Sequence, residues 1–79
     1  YPNPFNPVTT IRFSIPFPGK HSIHIYSVTG QLIQTLSDRY FDTGDYIVKW
    51  DAVNLPSGVY YLRMENAQYF QVIKITLVK

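Results

Sequence analysis

The chain contains no cysteine. Neither a disulfide nor a thiolate metal site can therefore staple its fold. Charge is also scarce. Asp, Glu, Lys and Arg make up 15% of the 79 residues, and the net charge is +2. The seven Lys and Arg are scattered, with no dense basic stripe of the kind a nucleic-acid binder carries. No run reaches the roughly 18 apolar residues of a membrane-spanning helix. No stretch shows a convincing 3.6-residue apolar period, so no amphipathic helix is expected. Disorder is excluded by the opposite excess: 46% of residues are hydrophobic and 16% aromatic. The length allows one small domain and rules out a large multi-step enzyme. Tyr1 opens the chain without the charged and apolar regions of a signal peptide. The chain reads as a piece of a longer protein, or its processed end.

Residues 1–8 form a proline-rich lead-in, with Pro2, Pro4 and Pro7. Proline lacks a backbone donor and pushes its predecessor into extended geometry. This segment is expected to lie outside any central strand. Residues 9–79 are expected to fold as one unit. Ile11, Phe13 and Ile15 alternate with polar neighbours, the period of a half-buried strand. Ile23 and Ile25 repeat the pattern, and Thr29-Gly30 supplies a reversal. Leu32, Ile33 and Leu36 break alternation, which points to a bulge or a twist. Residues 37–45, polar and rich in aspartate, are expected to be a loop. Tyr46, Val48 and Trp50 alternate again, and Trp50 is the largest candidate block of core. Leu55-Pro56-Ser57-Gly58 suits a type I turn. Val59–Met64, a reversal at Asn66-Ala67-Gln68, and a strand from about Tyr69 to Val78 complete the chain. The spacing of turns predicts an all-β, immunoglobulin-like antiparallel β-sandwich of six to seven strands.

Chemistry is sparse. His21 and His24 are separated by an odd number, so on a strand they face opposite ways and cannot chelate one metal. They are read as polar surface residues. Asp38, Asp42 and Asp45 do not match an EF-hand spacing and are read as solvated loop charge. Pro56-Ser57-Gly58 lacks the leading glycine of a nucleophile elbow. No catalytic, metal or cofactor site is assigned, and the chain is read as non-catalytic. The pairs Tyr40-Phe41, Tyr60-Tyr61 and Tyr69-Phe70 carry a different message. Adjacent strand residues face opposite ways, so some of these rings must be exposed. An exposed aromatic stripe can stack on sugars or anchor a protein partner. Pro4-Phe5-Asn6-Pro7 also matches P-x-x-P.

The longest informative stretch is Tyr1-Pro2-Asn3-Pro4-Phe5-Asn6-Pro7, followed by Thr9, Ile11, Phe13, Ile15 and Pro16. It resembles the Y-P-N-P-F-N-P-x-T-x-I-x-F-x-[LI]-P opening of the C-terminal sorting domain of the type IX (Por) secretion system. Ile25-Tyr26 with Gly30, Trp50-Asp51, Ser57-Gly58-Val59-Tyr60 and the closing Leu77-Val78-Lys79 resemble later blocks of that family. Ser27, Ala52 and Ile73 depart from its pattern.

The resemblance implies a secretion signal module, recognised by type IX translocon and sortase proteins. It implies a cargo domain on the N-terminal side, passage through the periplasm, and delivery to the outer-membrane surface or medium. Cleavage upstream of the module would follow. The positions that would carry recognition are Pro2, Asn3, Pro4, Gly58, Tyr60, Lys74 and Lys79. Two other readings stay open: an accessory carbohydrate-binding β-sandwich of a secreted surface enzyme, and an inert spacer.

Overall fold

The computed structural model describes residues 8–78. Six strands follow one another: β1 (Val8–Ile15), β2 (Gly19–Ser27), β3 (Leu32–Phe41), β4 (Gly44–Asp51), β5 (Gly58–Glu65) and β6 (Phe70–Leu77). All pairings are antiparallel. β1 and β4 form a two-stranded sheet, and the order β3-β2-β5-β6 forms a four-stranded one. Rings from the two sheets meet in the interior: Phe13 of β1 lies edge-on to Phe41 of β3, and Trp50 of β4 to Tyr60 of β5. This is the expected all-β sandwich of immunoglobulin type.

Period-two patterning builds the core. Ile11, Phe13 and Ile15 from one sheet face Ile23, Ile25, Leu62, Met64, Ile75 and Leu77 from the other. Trp50 is 0% exposed and is the largest fully buried side chain. Its indole N–H donates to Gln34 Oε1 at 3.3 Å. A buried indole needs such a partner. The expected bulge in the third strand makes this contact possible. Ile23 pairs with Ser37 and His24 with Thr35, so Leu36 is an extra residue. A second irregularity skips Ile33. One extra residue reverses which side chains face inward. The bulge at Leu36 thereby turns Gln34 toward Trp50.

Two expectations require correction. Residues 37–45 are not a loop: β3 continues to Phe41, leaving only Asp42 and Thr43 between strands. β3 is an edge strand, held mainly by its backbone ladder to β2, so most of its side chains stay in water. Its polar residues interact along the face instead. Ser22 donates to Asp38 at 3.2 Å, and Lys20 lies 3.8 Å from the same carboxylate. The turn after β4 also sits earlier than expected. Leu55 N–H donates to the Ala52 carbonyl at 3.0 Å, so the hydrogen-bonded reversal is Ala52–Leu55 and not Leu55–Gly58. Asp51 stabilises it by accepting from Val53 N–H at 3.1 Å. This local Asx geometry outcompetes the Pro-Ser-Gly signal.

Replacing Trp50 with Ala should cost about 3–5 kcal/mol in chemical denaturation, close to the whole stability of a domain this small. Gln34→Ala should cost about 1–3 kcal/mol, because it leaves a buried indole N–H unpaired.

Candidate functional site

Of the residues singled out in the sequence, Pro2, Asn3, Pro4 and Lys79 lie outside the described residues, as does the P-x-x-P stretch. The structure places the other three at different depths. Gly58 opens β5 with φ 154°, a backbone conformation that side-chain-bearing residues rarely adopt. Nothing lies within 4 Å of a Cβ built there, so the requirement is conformational and not steric. Tyr60 follows two residues later and points inward. Its hydroxyl donates to the Pro56 carbonyl at 2.7 Å, and its ring meets Trp50 edge-on with centroids 5.3 Å apart. A tyrosine reaching back to the backbone a few residues upstream is a recurrent corner of immunoglobulin sandwiches. Together these contacts set the shape of the Pro56–Tyr60 corner. Lys74 belongs to β6 and lies exposed on the outer face, opposite Tyr61. It does not share a surface with Tyr60.

His21 is not a surface residue. It is 0% exposed, on the inward side of β2, while His24 faces outward and contacts Thr35 Oγ1 at 2.9 Å. The opposite orientation of the two histidines follows from their spacing, as expected. Burial of His21 is compensated by three partners. Nδ1 lies 2.9 Å from the Gly19 carbonyl, and Nε2 lies 3.1 Å from the Tyr69 hydroxyl and 3.2 Å from Asn66 Nδ2. Asn66 Oδ1 accepts the Gln68 and Tyr69 backbone N–H groups at 2.8 and 3.0 Å. Its Nδ2 is thus the atom turned to His21, and it can only donate. Nε2 must accept, so the hydrogen sits on Nδ1 and is given to Gly19. Burial pushes the Tyr69 hydroxyl above its ordinary ionisation range.

This network underlies an open groove of about 610 Å³, with Pro16, Phe17 and Pro18 on one wall and Asn66, Gln68 and Tyr69 on the other. The groove could not be read in the sequence, because its walls come from two turns more than 40 residues apart. Elsewhere Ser14 donates to Asp45 Oδ1 at 2.7 Å on the two-stranded sheet, whereas both histidines lie on β2. Among the described residues, no three metal-ligating side chains converge.

A family model, the secretion system C-terminal sorting domain, matches residues 1–79. The chain belongs to this family. No curated protein and no solved structure matches it. Domains of this kind serve as type IX secretion signals and are generally non-catalytic, and their role is export to the cell surface or the extracellular space. In this sorting domain Gly58 and Tyr60 of the signature shape a corner of the fold, and the aromatic pairs that lie on strands, Tyr40-Phe41 and Tyr60-Tyr61, divide as the strand period requires. Phe41 and Tyr60 are buried, while Tyr40 and Phe70 are exposed.

Gly58→Ala should destabilise the sorting domain by about 1–3 kcal/mol in urea unfolding, since the native φ is strained for alanine. Tyr60→Phe should cost about 0.5–1.5 kcal/mol, the value of one buried hydrogen bond. Equal stability of all three proteins would refute the corner.

Proposed function

We propose that this domain is the secretion address of a cargo attached on its N-terminal side, and that the type IX translocon reads it chiefly along β6. The family match across residues 1–79 supports the sorting role. In this reading the precursor crosses the inner membrane by a signal peptide, and the folded domain is recognised in the periplasm. A sortase-like cysteine protease then cuts upstream of the domain, and the cargo is released or anchored.

The reading along β6 rests on a comparison of the two edges of the larger sheet. β3 carries two irregularities, and such breaks blunt an edge against further pairing. β6 runs in unbroken register with β5 from Phe70 to Leu77, and its other side faces no strand among the described residues. A receptor can add a strand there, gaining main-chain hydrogen bonds for affinity. Lys74 supplies charge that speeds encounter with an acidic partner, and Lys79 adds to it. Gly58 and Tyr60 act through the shape of the corner beside the β6 terminus: Gly58 pairs with Leu77. Pro2, Asn3 and Pro4 mark, in this reading, the boundary between cargo and domain, upstream of which the protease cuts.

The test is a reporter fused ahead of residues 1–79 and behind a signal peptide in a type IX-competent host. Reporter outside the cell, lost when the system is disabled, is the expected outcome. Removing residues 74–79 is a poor probe, because it takes Ile75 and Leu77 out of the core. Lys74→Glu is cleaner, since the side chain is exposed. It should lower secretion severalfold while circular dichroism and melting temperature stay unchanged. Undiminished secretion by Lys74→Glu would remove Lys74 from recognition. Reporter retained in the periplasm by a folded wild-type domain would overturn the sorting role.

A further inference from the structure

The outer face of the four-stranded sheet divides into two electrostatic halves. Strand register lines up Asp38, Ser22, Glu65 and Phe70 in one row across all four strands. Both acids there are near a cation, Asp38 with Lys20 at 3.8 Å and Glu65 with Arg63 at 3.2 Å. The next two rows, toward the β2–β3 turn, are Thr35–His24–Arg63–Val72 and Leu32–Tyr26–Tyr61–Lys74. They contain two cations, one histidine and two tyrosines, and no acid. Lys74 makes no salt bridge among the described residues.

Tyr26 and Tyr61 stand directly opposite each other on neighbouring strands and are both half-buried. Tyr26 is braced edge-on by His24, with ring centroids 6.1 Å apart. Arg63 is fixed over the Phe70 ring at 4.3 Å. Between these groups and the β2–β3 turn lies an open depression of about 310 Å³, lined by Tyr26, Tyr61, Arg63 and Val72 and by Ser27 and Gly30 of the turn. That volume falls at the lower end of small-ligand sites.

We propose that this depression binds an acidic saccharide, a sugar chain whose rings carry carboxylates. Tyrosine faces accept the apolar face of a sugar ring. Arg63 lines the depression with a guanidinium that a carboxylate would share with Glu65, 3.2 Å from its Nε, and Lys74 offers a mobile point charge at the next strand. Neither row carries an acid of its own, and the nearest one, Glu65, has its charge offset by Arg63 at 3.2 Å, so Lys74 is left to attract an anion. A shallow depression the size of a small ligand, flanked by rings and bounded on one side by a turn, favours a sugar over an extended peptide. Peptides pair at strand edges, and the two tyrosines of the depression sit on β2 and β5, each already paired on both sides. The proposal does not depend on the sorting role, and its test involves no secretion machinery.

The purified 79-residue chain is titrated with an oligomer of galacturonic acid, the matching neutral galactose oligomer and an oligoglutamate peptide, by calorimetry and amide chemical shifts. The acidic sugar should bind, with shifts clustered at Tyr26, Tyr61, Arg63 and Lys74, and added salt should weaken it. Tyr61→Ala should reduce affinity about tenfold, and Lys74→Gln about threefold, the scale of one exposed ion pair. Tyr61→Phe, which keeps the ring, should bind nearly as the wild type does. No binding of the acidic sugar overturns the proposal. So does equal binding of the neutral sugar or the peptide, or affinity unchanged in Tyr61→Ala.

Discussion

The contact between Trp50 and the opposing sheet is the constraint on which the rest of this structure depends. Two strands cover four, so the smaller sheet must hold its position with few side chains. Trp50 does this with one ring: it packs edge-on against Tyr60 of β5 and donates to Gln34 of β3. A buried indole without an acceptor would be costly, and the acceptor exists only because β3 carries an extra residue at Leu36. The irregularity in β3 is therefore part of the core. The same irregularity blunts the β3 edge, which leaves β6 as the regular edge of the larger sheet.

That asymmetry links packing to the recognition proposed for β6. An all-regular sheet would offer two equivalent edges to any passing strand, in a module that must meet one machinery and avoid others. Here one edge is bulged and the other is continuous from Phe70 to Leu77. The neighbouring outer face is sorted as well: Asp38 and Glu65 share one row, each near a cation of an adjacent row, and the next two rows hold aromatic and basic residues with no acid of their own. The buried side of the sandwich holds the shape, and the outer side of β2, β5 and β6 carries the accessible chemistry. Lys74 lies where the continuous edge and the basic panel meet.

Much of the fold was legible because it rests on local pattern. Alternation in Ile11–Ile15 and Ile23–Ile25 marks strands with one face buried, and the β-prone residues of Val59–Met64 mark another. Trp50 was recognisable as core by size, and the broken alternation of Leu32, Ile33 and Leu36 marked the bulge. The pattern failed at residues 37–41, where an edge strand is secured by backbone pairing and shows little burial. It failed again after β4, where an Asp51 side chain sets the turn ahead of the stronger-looking Pro-Ser-Gly signal. His21 failed for a third reason. Its burial depends on Asn66 and Tyr69, which lie 45 and 48 residues away and satisfy both ring nitrogens together with Gly19.

The sequence by itself determined the class of fold, the opposite orientation of His21 and His24, the exposure of some of the adjacent aromatics, and the family through motifs spread along the chain. These follow from periods of two and from uninterrupted local residue strings. Only the tertiary structure decided that Tyr60 is a corner brace, that His21 is buried, that β6 is the unbroken edge, and that Tyr26, Tyr61, Arg63 and Lys74 share one face. Each of those depends on which strands become neighbours and in what register. Register is set by burial summed over both sheets, and no single segment of the chain contains it.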